Sequence, residues 1–158
     1  MIIRRASASD LEAIIALNAF VQRQHSDALP DCFKAPSQSQ QTRDAFRDSL
    51  ADPTSLMLLA EETQPVGHLW AQFQDKPEGW VRFAQRLLCI QHMVVAPEHR
   101  RRGVGSLLLA SAIEIARREG VKRVELHVWS FNSDAKRFYA KHGFEVFSEK
   151  MAFRTDVA

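Results

Sequence analysis

The sequence predicts a mixed α/β domain, a central sheet covered by helices on both faces, and three observations carry that reading. Helical and extended patterns interleave along the chain in the order β-α-α-β-β-β-α-β-α-β. The run Leu87 to Val95 is nearly all apolar, as suits a strand buried on both faces. No internal repeat, low-complexity tract or linker divides the 158 residues, so 1–158 reads as a single domain with one core.

The elements follow from local signals. Residues 2–5 read as a short first strand. Ser9 followed by Glu12 has capping-box spacing, and after it Leu11, Ile14, Ile15, Leu17 and Val21 recur at helical intervals to about residue 23. Pro30 and Pro36 make 24–36 a loop, and a more polar helix over 37–50 is broken at Asp52-Pro53. Two strands, 55–62 and 65–74, flank Thr63-Gln64, and Lys76-Pro77-Glu78-Gly79 marks the next turn. The buried strand stops at Pro97. Val104, Leu107, Leu108, Ala112 and Ile115 then form an apolar stripe on a helix over 103–119, with Gly120 at its C-terminal stop. Val124, Leu126 and Val128 alternate as a strand. Ser133 to His142 form a short helix closed by Gly143, and Phe144 to Phe153 is a last extended segment.

Composition excludes several classes of function. Apolar residues are 46% and charged residues 25%, ordinary values for a globular chain. A formal net charge of +2 is too mild to indicate nucleic acid, and Arg100–Arg102 form a small footprint without interleaved aromatic platforms. No apolar run approaches the ~20 residues that span a bilayer, and Met1–Arg5 passes straight into polar sequence without a signal-peptide core. No membrane partner and a cytoplasmic location are therefore expected. Cys32 and Cys89 have no metal-type spacing, so no metal is expected and a reducing compartment fits.

The most informative stretch is Val94-Val95-Ala96-Pro97-Glu98-His99-Arg100-Arg101-Arg102-Gly103-Val104-Gly105-Ser106. A buried strand enters a basic, glycine-bearing turn, and the turn enters a helix. The first turn of that helix has unpaired N–H groups and the positive end of the dipole. Gly103 and Gly105 remove side chains where an anion must approach the backbone, and Ser106 adds a hydroxyl. The stretch lacks the Gly-Lys-Ser/Thr of a Walker loop and the third glycine of a dinucleotide fingerprint. Read locally, it is equally a solvated basic turn before a core helix.

A second block separates these readings. Arg100-Arg101-Arg102-Gly103-Val104-Gly105 resembles the Gln/Arg-x-x-Gly-x-Gly/Ala signature of GNAT acetyltransferases, and Met93-Val94-Val95-Ala96-Pro97-Glu98 looks like that family's lead-in. Downstream, Asn132, Ala135, Phe138-Tyr139 and Gly143-Phe144 match its Asn-x-x-Ala-x-x-Phe-Tyr-x-x-x-Gly-Phe block. The resemblance covers about residues 87–147. It implies a mostly antiparallel central sheet whose strands before and after the phosphate-loop helix splay apart, and it implies acetyl-CoA as co-substrate. Backbone N–H groups of residues 101 to 106 would hold the pyrophosphate, with Arg101 and Arg102 reaching its phosphates. The pantetheine arm would pair with the backbone of Met93 and Val95, while Asn132 would contact it from the other side. An amine would attack the thioester directly, a backbone N–H near Val95 would polarise the carbonyl, and Tyr139 would protonate the CoA sulfur.

The base has no obvious owner. Many members of that family carry a carboxylate on the strand before the loop, whereas this strand reads Leu87-Leu88-Cys89-Ile90-Gln91-His92-Met93. Strict alternation puts Cys89, Gln91 and Met93 on one face and Ile90 and His92 on the other. His68, His92 and His127 lie in strands, where histidines are more often structural than basic. Ordered water held by Gln91 is the preferred route, and nothing marks Cys89 as a nucleophile. The acceptor, a small-molecule amine or a peptide or protein amine, is expected near residues 20–36 and the turn at 75–84. There Gln24, His25, Asp27 and Asp31 supply polar groups and Phe20 and Phe33 supply walls. A homodimer is one way to cover an exposed sheet edge. The competing reading is a non-catalytic acyl-CoA-binding sensor of the same fold.

Overall fold

A computed structural model describes residues 1–155. The chain divides into two compact units, Met1–His127 and Val128–Ala158.

The first unit is built on a five-stranded sheet in the order β1-β2-β3-β4-β5. Its strands are β1 (Ile2–Arg5), β2 (Ser55–Glu61), β3 (Pro65–Lys76), β4 (Gln85–Val95) and β5 (Arg123–Leu126). The first four pair antiparallel and β5 runs parallel to β4. The helices are α1 (Leu11–Ala28), α2 (Gln40–Ala51) and α3 (Val104–Arg118). One sheet face buries Met57, Leu59 and Val94 against Ile14, Ile15 and Leu17 of α1 and Phe46 of α2. The opposite face carries Leu58, which shares a pocket with Ser111 and Ile115 of α3. Leu56 through Ala60 are all buried, which is why this strand reads as a solid apolar run. Gly67 permits the close fit on the α3 side. A Cβ there would stand 2.8 Å from the Val94 carbonyl oxygen and 3.4 Å from Leu108 Cδ1.

Local chemistry sets the helix ends, not always where the pattern suggested. α1 runs to Ala28 instead of ending near residue 23, because Arg23 to Ala28 contain neither glycine nor proline and the first breaker is Pro30. At its start, Ser7 and Asp10 take the part expected of Ser9 and Glu12. The Ser7 backbone N–H donates to Asp10 Oδ2 at 2.8 Å, inside a 3₁₀ turn over Ala8–Asp10. The second helix begins three residues later than expected, where Ser39 caps it by accepting from the Thr42 N–H.

The second unit contains α4 (Ser133–Lys141), followed by Gly143 in the left-handed region at φ 84°. The last extended segment does not become a strand. Residues 144–155 join no ladder, and Val146, Met151 and Phe153 are largely exposed. An apolar pattern marks a surface that can be buried, but a strand also needs a neighbour to take its backbone hydrogen bonds.

Register delivers a second correction. Trp70 pairs with His92, but the next residue of β3, Ala71, pairs with Ile90. Gln91 is therefore an extra residue on β4, a bulge that interrupts the alternation. His92 lies opposite Trp70, on the α1-facing side with Cys89 and Val94, while Met93 joins Ile90 on the other side. The grouping of Cys89, Gln91 and Met93 on one face does not hold.

Two buried polar groups make the fold sensitive to acid. Arg4 grips the Asp10 carboxylate with both terminal nitrogens, at 2.9 and 2.8 Å, and also pairs with Glu61. The Arg4 bonds above all hold the Asp10 carboxyl well below the usual range, against its burial. His68 is fully buried, and burial first, then His92, push its pKa from 6.5 down to about 3. In both cases the native state binds its proton later than the unfolded chain. Stability is therefore full above each unfolded value and declines as pH falls below it. Urea midpoints should decrease from about pH 6.5 as unfolded histidines take up protons, and more steeply below about 4 as Asp10 is titrated. His68→Leu should reduce the first stage, to which His92 also contributes, and Arg4→Met the second. An unchanged first stage in His68→Leu would contradict the burial argument.

Candidate active site

The site in the first unit begins with an unequal strand. β4 is paired with β3 as far as Val95, whereas its ladder with β5 ends at Ile90–Leu126. The stretch Gln91–Val95 thus has β3 on one edge and no β5 partner on the other. The two strands part at this point, as the resemblance implies. Gln91 is exposed in its bulge, Met93 and Val95 are half-buried, and Val94 is buried in the core.

Beyond Val95 the chain makes a 3₁₀ turn at Pro97–His99 and then the basic turn. Arg101 sits in the left-handed region at φ 59° and Gly103, the cap residue of α3, at φ 83°. Gly103 is therefore required by backbone conformation, and a Cβ there would meet nothing within 4 Å. The space beside it is open, as an approaching anion needs. Val104 is buried, anchoring the helix start, while Gly105 and Ser106 are half-buried in its first turn. The N–H groups of Val104, Gly105 and Ser106 precede the first intrahelical bond, from Leu107 to the Gly103 carbonyl at 3.0 Å.

The three arginines have different tasks. Arg100 Nε donates to the Val95 carbonyl at 3.1 Å and so locks the turn onto the end of β4. Arg102 donates to His99 Nδ1 at 3.3 Å and lies 4.0 Å from Glu62. Arg101 is exposed.

In the second unit, Asn132 caps α4, its side-chain oxygen accepting from the Ala135 N–H at 3.1 Å. Phe138 and Tyr139 follow on that helix. Tyr139 packs edge-on against Phe138, at 5.2 Å, and Phe144, at 5.5 Å. Burial raises its phenol to about 12, so it stays protonated across the neutral range.

Of the acceptor-loop residues, His25 stacks on Phe33 at 4.9 Å, and Phe20 is exposed on α1. The turn between β3 and β4 presents Trp80 to solvent, with 97% of its surface accessible. Burial pushes the Cys89 thiol up, the opposite of what a nucleophile needs. The residue that sequence reasoning undervalued is His92. Its ring stacks flat on Trp70, at 5.4 Å and 9°. Alternation could not show this, because the bulge at Gln91 is a property of pairing. Among the described residues no group of histidines, cysteines and carboxylates is arranged to hold a metal ion, and no helix is long and apolar enough to cross a membrane.

Comparison with known proteins agrees with this architecture. Residues 21–144 match the model of the acetyltransferase (GNAT) family. An aminoalkylphosphonate N-acetyltransferase of Salmonella typhimurium is 30% identical over 146 residues, covering 90% of this chain and 84% of that one. Among solved structures, a tetramutant of the BH1408 protein of Bacillus halodurans superposes with a TM-score of 0.92 at 23% identity, over 98% of this chain and 99% of that one. AAC(6')-Iy in complex with the bisubstrate analogue CoA-S-monomethyl-acetylneamine has a TM-score of 0.76 at 16% identity, over 99% and 98% of the two chains. At those identities the structures attest the fold.

Gly103 offers a clean test of the loop. Because a Cβ there meets open space, the cost of Gly103→Ala is purely conformational, about 1–2 kcal/mol in denaturant unfolding. Gly103→Asn should lose less, since asparagine tolerates the left-handed region. Equal losses for the two would point to a packing role instead.

Proposed function

Since the chain belongs to the GNAT acetyltransferase family, we propose that it transfers the acetyl group of acetyl-CoA to a primary amine by direct attack. The observation that carries this reading is the strand β4, one edge left without β5 from Gln91 to Val95, running into a left-handed, glycine-capped helix start. An extended amide-bearing arm and a pyrophosphate are the ligand features that such a strand edge and such a helix start accommodate.

In this reading the backbone N–H groups of 101–106 hold the pyrophosphate, and Arg101 and Arg102 add charge. Arg100 keeps the turn fixed to β4. The backbone of Met93 and Val95 pairs with the pantetheine amides, and Val94 anchors that strand in the core. Asn132, Ala135 and Phe138 belong to the arm's other wall, a role assigned by the motif they match. The amine lone pair forms the C–N bond, and a backbone N–H near Val95 stabilises the oxyanion. The C–S bond breaks as Tyr139 gives its proton to sulfur, and the amine's surplus proton leaves through water held at Gln91. A phenol raised to about 12 is protonated at every working pH, which suits a donor. The acceptor is a small-molecule amine, a reading supported by the named activity of the Salmonella relative and by this chain's coverage of 84% of it.

Release of free CoA with a panel of aminoalkylphosphonates, amino acids, aminoglycosides and lysine peptides tests the reading. Acetyl-CoA binding without turnover of any amine would replace it with a sensor module. Tyr139→Phe keeps the ring and its packing, and should lower kcat by about 100-fold with acetyl-CoA affinity little changed. Loss of the donor by ionisation is expected only near pH 12 in the parent enzyme. A kcat within about twofold of the parent would make Tyr139 a packing residue.

A further inference from the structure

Three of the six histidines, carried by three different elements, gather on the α1-facing side of the sheet. His68 lies on β3 and His92 on β4. Their register partners are Val94 and Trp70, so the two are diagonal neighbours two residues apart on adjacent strands, about 7–8 Å at the backbone. His25 of α1 is close enough to disfavour charge on His92.

His92 is held but not used. Its ring lies flat on Trp70. Trp70 is fixed in turn, edge-on to Phe46 of α2 at 6.2 Å and donating from Nε1 to Ser55 Oγ at 3.2 Å. Yet no side chain or backbone group among the described residues hydrogen-bonds to the His92 ring nitrogens. Behind it, His68 is completely buried, and neither of its ring nitrogens has a partner. A packing role accounts poorly for a fully buried imidazole with neither nitrogen satisfied, set beside a second whose ring no described protein group hydrogen-bonds.

The bulge gives this arrangement its direction. An unbulged β4 would turn His92 to the α3 side. The extra residue, Gln91, brings it instead to the α1 side, beside the helix end and loop that carry His25 and Phe33. It also lies three residues before Val95, within the stretch of β4 that β5 does not cover.

We propose that His92 is the general base, receiving the proton of the attacking amine on a ring nitrogen and passing it to solvent. The inference rests on the acetyl-transfer reading and replaces the water at Gln91 as first proton acceptor. As the C–N bond forms, the amine's surplus proton moves onto the free lone pair of His92. The C–S electron pair leaves with sulfur, which takes the Tyr139 proton. Solvent then collects the imidazolium proton and restores the phenol. The titratable groups facing His92 are His68 from β3 and His25 from α1, and α2 reaches its stacking partner Trp70 through Phe46. Among the described residues no carboxylate stabilises a charge on it. Burial first, then His25, hold its pKa near 4, so the ring is neutral at working pH.

The test uses His92→Gln, which keeps hydrogen bonding but not basicity, and His92→Ala with added imidazole. Support would be a kcat about 100-fold lower in His92→Gln, with acetyl-CoA affinity and melting temperature near those of the parent, and partial recovery of His92→Ala turnover by imidazole. A kcat within threefold in His92→Gln, or no imidazole recovery in a folded His92→Ala, overturns the assignment and leaves acetyl transfer through the Gln91 water standing. A parent enzyme that binds acetyl-CoA but acetylates no amine overturns both.

Discussion

The edge of β4 is the constraint on which the rest depends. From Leu87 to Ile90 the strand is paired on both sides; from His92 to Val95 it keeps β3 and has no β5 partner. Open amide edges are costly inside a protein and a liability outside it, so a strand built this way has to be supported from its faces. Here Val94 and Ala96 are clamped into the cluster of α1 and α2 side chains, and Arg100 ties the following turn to the Val95 carbonyl. The paired edge and the buried face together hold the unpaired edge extended without a partner strand.

That support also fixes the basic turn. The left-handed conformations of Arg101 and Gly103 are strained or glycine-specific, and such backbone survives only where its two ends are anchored. Val95 and Ala96 anchor one end, and buried Val104, Leu108 and Ala112 of α3 anchor the other. The glycine-bearing turn between them is therefore held at both ends by the core.

What could be read from the sequence follows from how far each signal reaches. The turn at 97–106 was legible because glycine spacing, Pro97 and the helix start are all local. The solid apolar runs of β2 and β4 were legible because a strand buried on both faces leaves no other pattern. The extra turns of α1 were obscured by a polar sequence, Arg23 to Asp27, that a helix tolerates as easily as a loop does. The strand expected at 144–153 failed for a different reason: its existence hinges on a partner that no local pattern guarantees. The face of His92 depended on one inserted residue, Gln91, which becomes visible only when β3 and β4 are placed side by side. The separate commitments within the arginine triplet were not legible, since Arg100 bonds a backbone carbonyl and Arg102 meets His99 and Glu62 only once the turn is folded.

In the proposed chemistry, acid and base owe their readiness to the same cause. Burial disfavours whichever form of a group is charged. For a phenol that is the deprotonated form, so Tyr139 is pushed up to about 12 and keeps its proton. For an imidazole it is the protonated form, so His92 is pushed down to about 4 and keeps its lone pair. A carboxylate beside the histidine would act against burial and raise its pKa, whereas β4 carries none, and His92 stays neutral. Two neutral groups with widely separated pKa values are the arrangement in which one donates and the other accepts at a single pH.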